Sequence, residues 1–105
     1  MQDRDRQALT LLAARIRERF VGARIWAFGS RTCDAASPES DLDVCIVLDD
    51  LNEDIDRILM GIAWEVGFDH GVVISTVTYS TEEFERGPLS ESPLVRTVRS
   101  QGIAA

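Results

Sequence analysis

Residues 41–48 have the sequence DLDVCIVL, and this stretch decides the fold that the chain is expected to adopt. Polar and apolar residues alternate at its start, and it becomes wholly apolar after Asp43, a pattern typical of a central strand covered on both faces. Because successive side chains of a strand point to opposite faces, Asp41 and Asp43 should lie on the same face. The stretch therefore predicts a buried strand that begins with two neighbouring carboxylates.

The segments on either side of this strand predict a small mixed sheet packed with helices. Apolar residues at three- and four-residue spacing indicate helices, and short runs of β-branched and aromatic residues indicate strands. The helices are expected over residues 3–20, 50–67, 81–86 and 93–100, with Gly67 ending the second of them. The strands are expected over residues 23–28, 41–48 and 72–79. This order, α-β-β-α-β-α followed by the last short helix, belongs to the α/β class with an α+β-like mixed sheet, and all 105 residues are expected to form a single domain.

The order of the strands should bring their polar ends together at one edge of the sheet. The second and third strands are joined through a helix, so they should be parallel with a right-handed crossover. The first strand leads into the second through a polar loop, in which Ser37 and Pro38 predict a turn. If these two strands pair antiparallel, Gly29 at the end of the first meets Asp41 at the start of the second.

Composition excludes several classes of function. All 11 basic residues are arginine, so a Schiff-base lysine and a P-loop lysine are both ruled out. The single histidine, His70, excludes zinc sites built from several histidines. The 18 acidic residues give a net charge of −7, which argues against a protein that grips nucleic acid by its phosphates. An acidic chain can still hold a small anionic ligand through a bound cation.

The chain also lacks the sequence features of secreted and membrane proteins. No segment resembles a signal peptide, and no apolar run approaches the ~20 residues of a membrane helix. The two cysteines, Cys33 and Cys45, are too few for a disulfide framework and are expected to be reduced thiols, one of them in the core. A cytoplasmic protein is therefore expected.

Two short motifs at the expected sheet edge point to phosphate and metal chemistry. Gly29 lets phosphates approach the backbone, and the amides of such a turn, with the Ser30 hydroxyl, can hold an anion. The carboxylates of Asp41 and Asp43 repel each other, and Mg²⁺ is a natural partner for such a pair. Taken alone, the first motif favours a plain tight turn, and Asp41 favours a solvent-exposed strand entrance. Together they match an arrangement in which a metal bridges phosphate oxygens for phosphoryl or nucleotidyl transfer.

The two motifs also carry a resemblance to a known family. Residues 29–31 (GSR), followed by residues 40–43 (SDLD), resemble the GS(x)nDxD signature of the DNA polymerase beta nucleotidyltransferase superfamily. The small size and the preceding helix are most similar to the minimal nucleotidyltransferases of that superfamily. The resemblance implies the nucleotidyltransferase fold, a small mixed sheet with helices.

The resemblance also implies roles for individual residues. Gly29 and Ser30 would hold the triphosphate of ATP or another NTP. Asp41 and Asp43 would bind Mg²⁺ and carry the catalysis. Arg31 would neutralise phosphate charge, although a surface arginine is an equal alternative.

Partners follow from the same resemblance. Many members of the family pair with HEPN-domain proteins as toxin–antitoxin modules, and some transfer AMP from ATP to a tyrosine of the toxin. A protein adenylyltransferase is therefore one implied activity. A chain of 105 residues has no room for a separate acceptor-binding domain, so a partner protein or a homo-oligomer is expected to complete the site.

One departure from the family pattern leaves the function open. The family usually has a third carboxylate early in the third strand, and the alignment with this chain puts Val73 there. Asp69 would replace it only if that strand started late or had a different register. Three interpretations follow: an active nucleotidyltransferase, a catalytically weakened relative that binds a nucleotide or a partner, and an unrelated small α/β interaction domain.

Overall fold

The computed structural model describes residues 1–33 and 39–105, so the turn predicted at Ser37 and Pro38 lies outside the described residues. The elements of the described part are α1 (Asp3–Arg19), β1 (Arg24–Phe28), β2 (Leu42–Leu48), α2 (Glu53–His70), β3 (Ile74–Ser80), α3 (Thr81–Glu85), α4 (Pro93–Gln101) and β4 (Ile103–Ala104). Short 3₁₀ turns occupy Ser30–Thr32 and Pro88–Glu91. The predicted α/β class and the predicted order of the longer elements are confirmed.

The strands form one mixed sheet in the spatial order β3-β2-β1-β4. β1 pairs antiparallel with β2, and β2 pairs parallel with β3, as the connections predict. β4 pairs antiparallel with β1 through two residues, a strand too short to leave a pattern in the sequence. The end of β1 and the starts of β2 and β3 consequently lie at the same edge of the sheet.

Helices cover both faces of this sheet, which explains why β2 is almost wholly apolar. α1 and α2 pack on one face, where Val44 and Ile46 join the larger apolar cluster. α3 and α4 pack on the other face, where Cys45 and Val47 meet Phe84. Both cysteines are free thiols, and only Cys45 is buried, as predicted.

The ends of α2 differ from the sequence-based prediction. The side chain of Asn52 accepts a hydrogen bond from the backbone N–H of Ile55, so Asn52 caps the helix. The prediction that Gly67 ends α2 is wrong, because the helix continues to His70 and Gly71 closes it at φ 67°. Gly67 serves close packing instead, since a Cβ there would lie 2.5 Å from the carbonyl oxygen of Val72.

The short helices after β3 follow their capping signals. Ser80 and Glu83 form a capping box at the start of α3. Ser92 caps α4, in which Pro93 is the first residue. Among residues 1–33 and 39–105, none of the helices combines the length and the apolarity that a membrane crossing requires.

Candidate active site

The turn that follows β1 has a backbone conformation that glycine alone adopts readily. Gly29 has φ 82° and ψ −165°, a region in which a side chain would be strained. The backbone N–H and the hydroxyl of Thr32 both donate to the carbonyl oxygen of Gly29, at 3.2 and 2.7 Å. These bonds hold the 3₁₀ turn that begins at Ser30, whose side chain is exposed at the sheet edge.

This turn lies directly against the second aspartate of the acidic pair. Phe28 is the register partner of Asp43 in the antiparallel ladder, so Gly29 follows immediately beside it. A Cβ on Gly29 would lie 2.5 Å from Asp43 Oδ2. The structure therefore brings Gly29 to the expected end of the sheet, but against Asp43 and not against Asp41 as predicted, because the register pairs Phe28 with Asp43.

The two aspartates form an electrostatically uncompensated pair. Asp41 is exposed just before β2 and Asp43 is half-buried within it. Burial, and then the charge of Asp41, raise the pKa of the Asp43 carboxyl above its ordinary value. Within the described ranges, no group donates a hydrogen bond to either carboxylate or forms an ion pair with it. Such a pair fits a hard divalent cation.

The described residues alone do not complete a metal site. They contain no group of three or more histidine, cysteine, aspartate or glutamate side chains placed to hold a metal ion. Mg²⁺ is commonly bound by one or two carboxylates together with the phosphates of a substrate. Asp41 and Asp43 would supply the carboxylates for such a site, and the phosphates of a substrate would supply further ligands.

The register of β3 shows which residue faces the acidic pair across the parallel ladder. Ser75, and not Val73, lies opposite Asp43 in the parallel ladder, and Val73 precedes the first residue of β3. Asp69 lies in the last turn of α2 and cannot take this place on the strand. The predicted start of this strand at residue 72 is wrong, because β3 begins two residues later, at Ile74.

Arg31 is the predicted site residue that the structure places differently. It is 3% exposed, and its Nε and Nη2 donate to the two carboxylate oxygens of Asp5, both at 3.0 Å. Its Nη1 donates to the carbonyl oxygen of Ser40 at 2.8 Å. The expectation of a surface or phosphate-facing arginine is therefore replaced by a buried ion pair that joins α1, the glycine turn and the residue before the acidic pair. Sequence reasoning missed Asp5, which looked like one more polar residue in the first turn of α1.

A groove of about 740 Å³ opens beside Asp41. The second half of α2 forms one wall, with Met60, Trp64 and Phe68, and the first half of β3 forms the other. The lining is mainly apolar, and sequence reasoning missed it because the periodicity of α2 was used only to find the buried face of the helix.

Comparisons with known proteins agree with this fold. The model of the nucleotidyltransferase domain family matches residues 9–101, which is most of the chain. The chain therefore belongs to the nucleotidyltransferase domain family, as the GS(x)nDxD resemblance implied. No curated protein matches it.

A solved structure shares the fold. A chain in the crystal structure of a mutant of the toxin–antitoxin complex MntA–HpeT superposes with a TM-score of 0.56 at 15% sequence identity. The match covers 88% of this chain and 68% of that chain. At this identity the likeness shows a common fold.

Proposed function

We propose that this domain transfers a nucleoside monophosphate from an NTP to a hydroxyl group of a protein or a small molecule, with Mg²⁺ as the cofactor. The observation that carries the proposal is the contact of Gly29 with Asp43 at the edge where Asp41 is also exposed. A phosphate-accepting turn and a pair of uncompensated carboxylates within one small area are what nucleotidyl transfer requires.

Each site residue has a distinct part in the proposed reaction. The Ser30 hydroxyl and the turn amides bind the terminal phosphates, which approach closely because Gly29 has no side chain. Asp41 and Asp43 hold Mg²⁺, which supplies charge neutralisation at the phosphate oxygens. The acceptor oxygen bonds to the α-phosphorus, the bond to the bridging oxygen breaks, and pyrophosphate leaves. The hydroxyl proton passes to water, because Ser75 provides no carboxylate opposite Asp43.

We further propose ATP as the nucleotide and a protein as the acceptor. The acidic net charge of −7 disfavours a nucleic-acid acceptor. The fold is shared with a chain of a toxin–antitoxin complex, which supports a partner protein for this chain. A HEPN-type partner follows from the family resemblance, and a cytoplasmic location fits such a pair.

A weakened domain that binds a nucleotide or a partner without turnover is the second candidate. Ser75 opposite Asp43 favours it, since losing a general base costs ~10²–10⁴ in rate while metal and phosphate contacts survive.

Thermal unfolding with ATP, with and without Mg²⁺, tests the binding site that both candidates share. We expect Mg²⁺-dependent stabilisation by ATP that is lost in Asp43→Asn. Asp50→Asn is the matched control, because Asp50 is an exposed aspartate just beyond the opposite end of β2. If ATP stabilises Asp43→Asn as well as the parent, both candidates fail.

Labelled ATP separates the two candidates. The domain is co-expressed and purified with the product of the neighbouring reading frame, then incubated with ATP labelled at the α- or the γ-phosphate. Transfer predicts incorporation of the α-label alone, lost in Asp41→Ala and Asp43→Ala. A complex that forms and binds ATP without incorporating either label supports the weakened domain.

A further inference from the structure

The side chain of Arg31 lies between the two halves of the candidate site. Arg31 follows Ser30 in the glycine turn, and its Nη1 donates to the carbonyl oxygen of Ser40 at 2.8 Å. Ser40 directly precedes Asp41, the exposed member of the acidic pair. One guanidinium group therefore connects the turn that is proposed to hold phosphates with the residue before a proposed metal ligand.

Asp5 fixes the direction of this guanidinium group. Its two carboxylate oxygens accept from Nε and Nη2 of Arg31, both at 3.0 Å, and a two-pronged contact of this kind sets the plane of the group. Asp5 lies in the first turn of α1, a helix that packs on the sheet through its buried face. Because Nε and Nη2 are held by Asp5, the position of Nη1 and its contact with Ser40 are fixed as well.

The two aspartates of the site are held in different ways. Asp43 lies within β2, where it is paired with Phe28 on one side and with Ser75 on the other. Asp41 precedes the first residue of β2, so it lies outside both ladders. The position of Asp41 therefore depends more strongly on what holds Ser40 than the position of Asp43 does.

The burial of the ion pair indicates that its value lies in geometry. Arg31 and Asp5 are 3% and 2% exposed. A buried ion pair often stabilises a fold no more than apolar side chains of similar volume, because both charges lose their contact with water. Apolar side chains would fill the same space but would not donate to Ser40. The contact with Ser40 is therefore what this pair supplies beyond packing.

We propose that Arg31 is a positioning residue that acts through Asp41. Held by Asp5, it keeps the start of β2 in place beside the glycine turn, so that the Asp41 carboxylate is ready to share a cation with the phosphates of a nucleotide. This role rests on the proposed function for its cation and its nucleotide. The hold on Ser40 itself is tested without either of them.

Paired substitutions separate positioning from stability. Asp5→Leu/Arg31→Met removes both charges and roughly keeps the volume, so its urea midpoint should be close to that of the parent. Hydrogen exchange is then measured without metal or nucleotide. The amide of Leu42, which donates to the carbonyl oxygen of Val73 at 2.8 Å, should exchange at least tenfold faster in the variant. The amide of Ile46, in the middle of β2, should exchange at the rate of the parent.

A second pair, Asp5→Asn/Arg31→Gln, is measured in the same way, because its polar side chains suit the site if the apolar pair does not. Parental exchange at Leu42 in a folded variant would overturn the hold on Ser40. If neither pair folded, the role of Arg31 would be structural alone, and the proposal would fail.

The requirement for Mg²⁺ shows whether the pair acts through the metal ligand. The Mg²⁺ concentration that gives half of the thermal stabilisation by ATP should rise at least tenfold in Asp5→Leu/Arg31→Met. At saturating Mg²⁺ the affinity for ATP should stay within threefold of the parent value. Arg24→Met/Glu85→Leu is the matched control, because this ion pair of 2.9 Å lies at the start of β1, away from Gly29. It should leave the Mg²⁺ requirement unchanged.

The remaining outcomes are distinct from one another. If the parent does not bind ATP with Mg²⁺, the proposed function is wrong. If the parent binds and the paired variant needs no more Mg²⁺, Arg31 does not act through Asp41. An affinity for ATP that falls equally at every Mg²⁺ concentration would make Arg31 a phosphate ligand and would overturn the positioning role.

Discussion

Ser75 lies directly opposite Asp43 in the parallel ladder between β3 and β2. Residues paired in this way place their side chains on the same face of the sheet, so the exposed hydroxyl of Ser75 is next to the half-buried carboxylate. The acidic pair thus has a small polar neighbour at the position from which a third carboxylate would reach it.

Ser75→Asp is expected to strengthen Mg²⁺ binding and to raise any nucleotidyl transfer, because it adds an oxygen donor and a base beside Asp43. The gain in rate has an upper limit of ~10²–10⁴, the usual contribution of a general base. Isothermal titration with Mg²⁺ in the presence of ATP measures the binding, and release of pyrophosphate measures the rate.

Val73→Asp is the matched control for this register. Val73 precedes β3 and is not opposite Asp43. Val73→Asp should therefore raise Mg²⁺ binding and the rate of transfer clearly less than Ser75→Asp does. A larger gain from Val73→Asp than from Ser75→Asp would mean that the site is organised around Asp41 instead.

Gly29→Ala is expected to damage both the stability and the site. The conformation at φ 82° and ψ −165° strains any side chain, at a cost of ~1–3 kcal/mol. The new Cβ would lie 2.5 Å from Asp43 Oδ2 and would push that carboxylate away. Urea unfolding should show the loss of stability, and Mg²⁺-dependent ATP binding should fall with it.

Gly22→Ala provides the comparison for this effect. A Cβ at Gly22 meets no atom within 4 Å, and its φ lies outside the strained region. We expect this variant to keep the ATP affinity of the parent and to be at least as stable, since alanine restricts the unfolded chain. A Gly29→Ala variant that behaves like Gly22→Ala would show that the turn tolerates a side chain.

Arg31→Ala is expected to reduce the free energy of unfolding by ~3–5 kcal/mol, because it removes both close hydrogen bonds from the buried Asp5 carboxylate and leaves it the more distant Arg4, at 3.9 Å. Arg31→Lys keeps the charge but loses the two-pronged contact, so it should also be destabilised. Urea unfolding measures both. If Arg31→Lys lowered the affinity for ATP at unchanged stability, Arg31 would be a phosphate ligand rather than a structural group.

The ion pair between Arg31 and Asp5 is a feature of the fold that a local sequence pattern does not predict. The elements, the strand pairing and the meeting of Gly29 with the acidic strand follow from hydrophobic periodicity and from short connections. The partnership of Arg31 with Asp5 joins residues on different elements. No local pattern distinguishes that arginine from one that faces a phosphate.

Local sequence pattern also does not show which of two glycines ends a helix, or where the next strand starts. Gly67 and Gly71 both follow the apolar stripe of α2 in the sequence, and the structure shows that the helix passes through Gly67 and ends at Gly71. This longer helix moves the start of β3 to Ile74. A shift of two residues preserves which side chains share a face but changes which one lies opposite Asp43.

Asp43→Asn is expected to stabilise the metal-free protein at neutral pH. Burial and the charge of Asp41 raise the pKa of Asp43, so the folded state favours the neutral side chain. The stability given by the protonated carboxyl is present below the ordinary pKa of 3.8 and is lost as the pH rises through the raised value. The Tm advantage of Asp43→Asn should therefore shrink as the pH falls through that range.

With Mg²⁺ and ATP present, the parent should have a higher Tm than Asp43→Asn. The ion compensates the two carboxylates in the parent and has lost one ligand in the variant. Asp50→Asn, at the other end of β2, should follow the parent under both conditions. A metal-free Asp43→Asn protein with a lower Tm than the parent at neutral pH would mean that the carboxylate is stabilised within the fold. A cation would then have no unpaired charge to neutralise there.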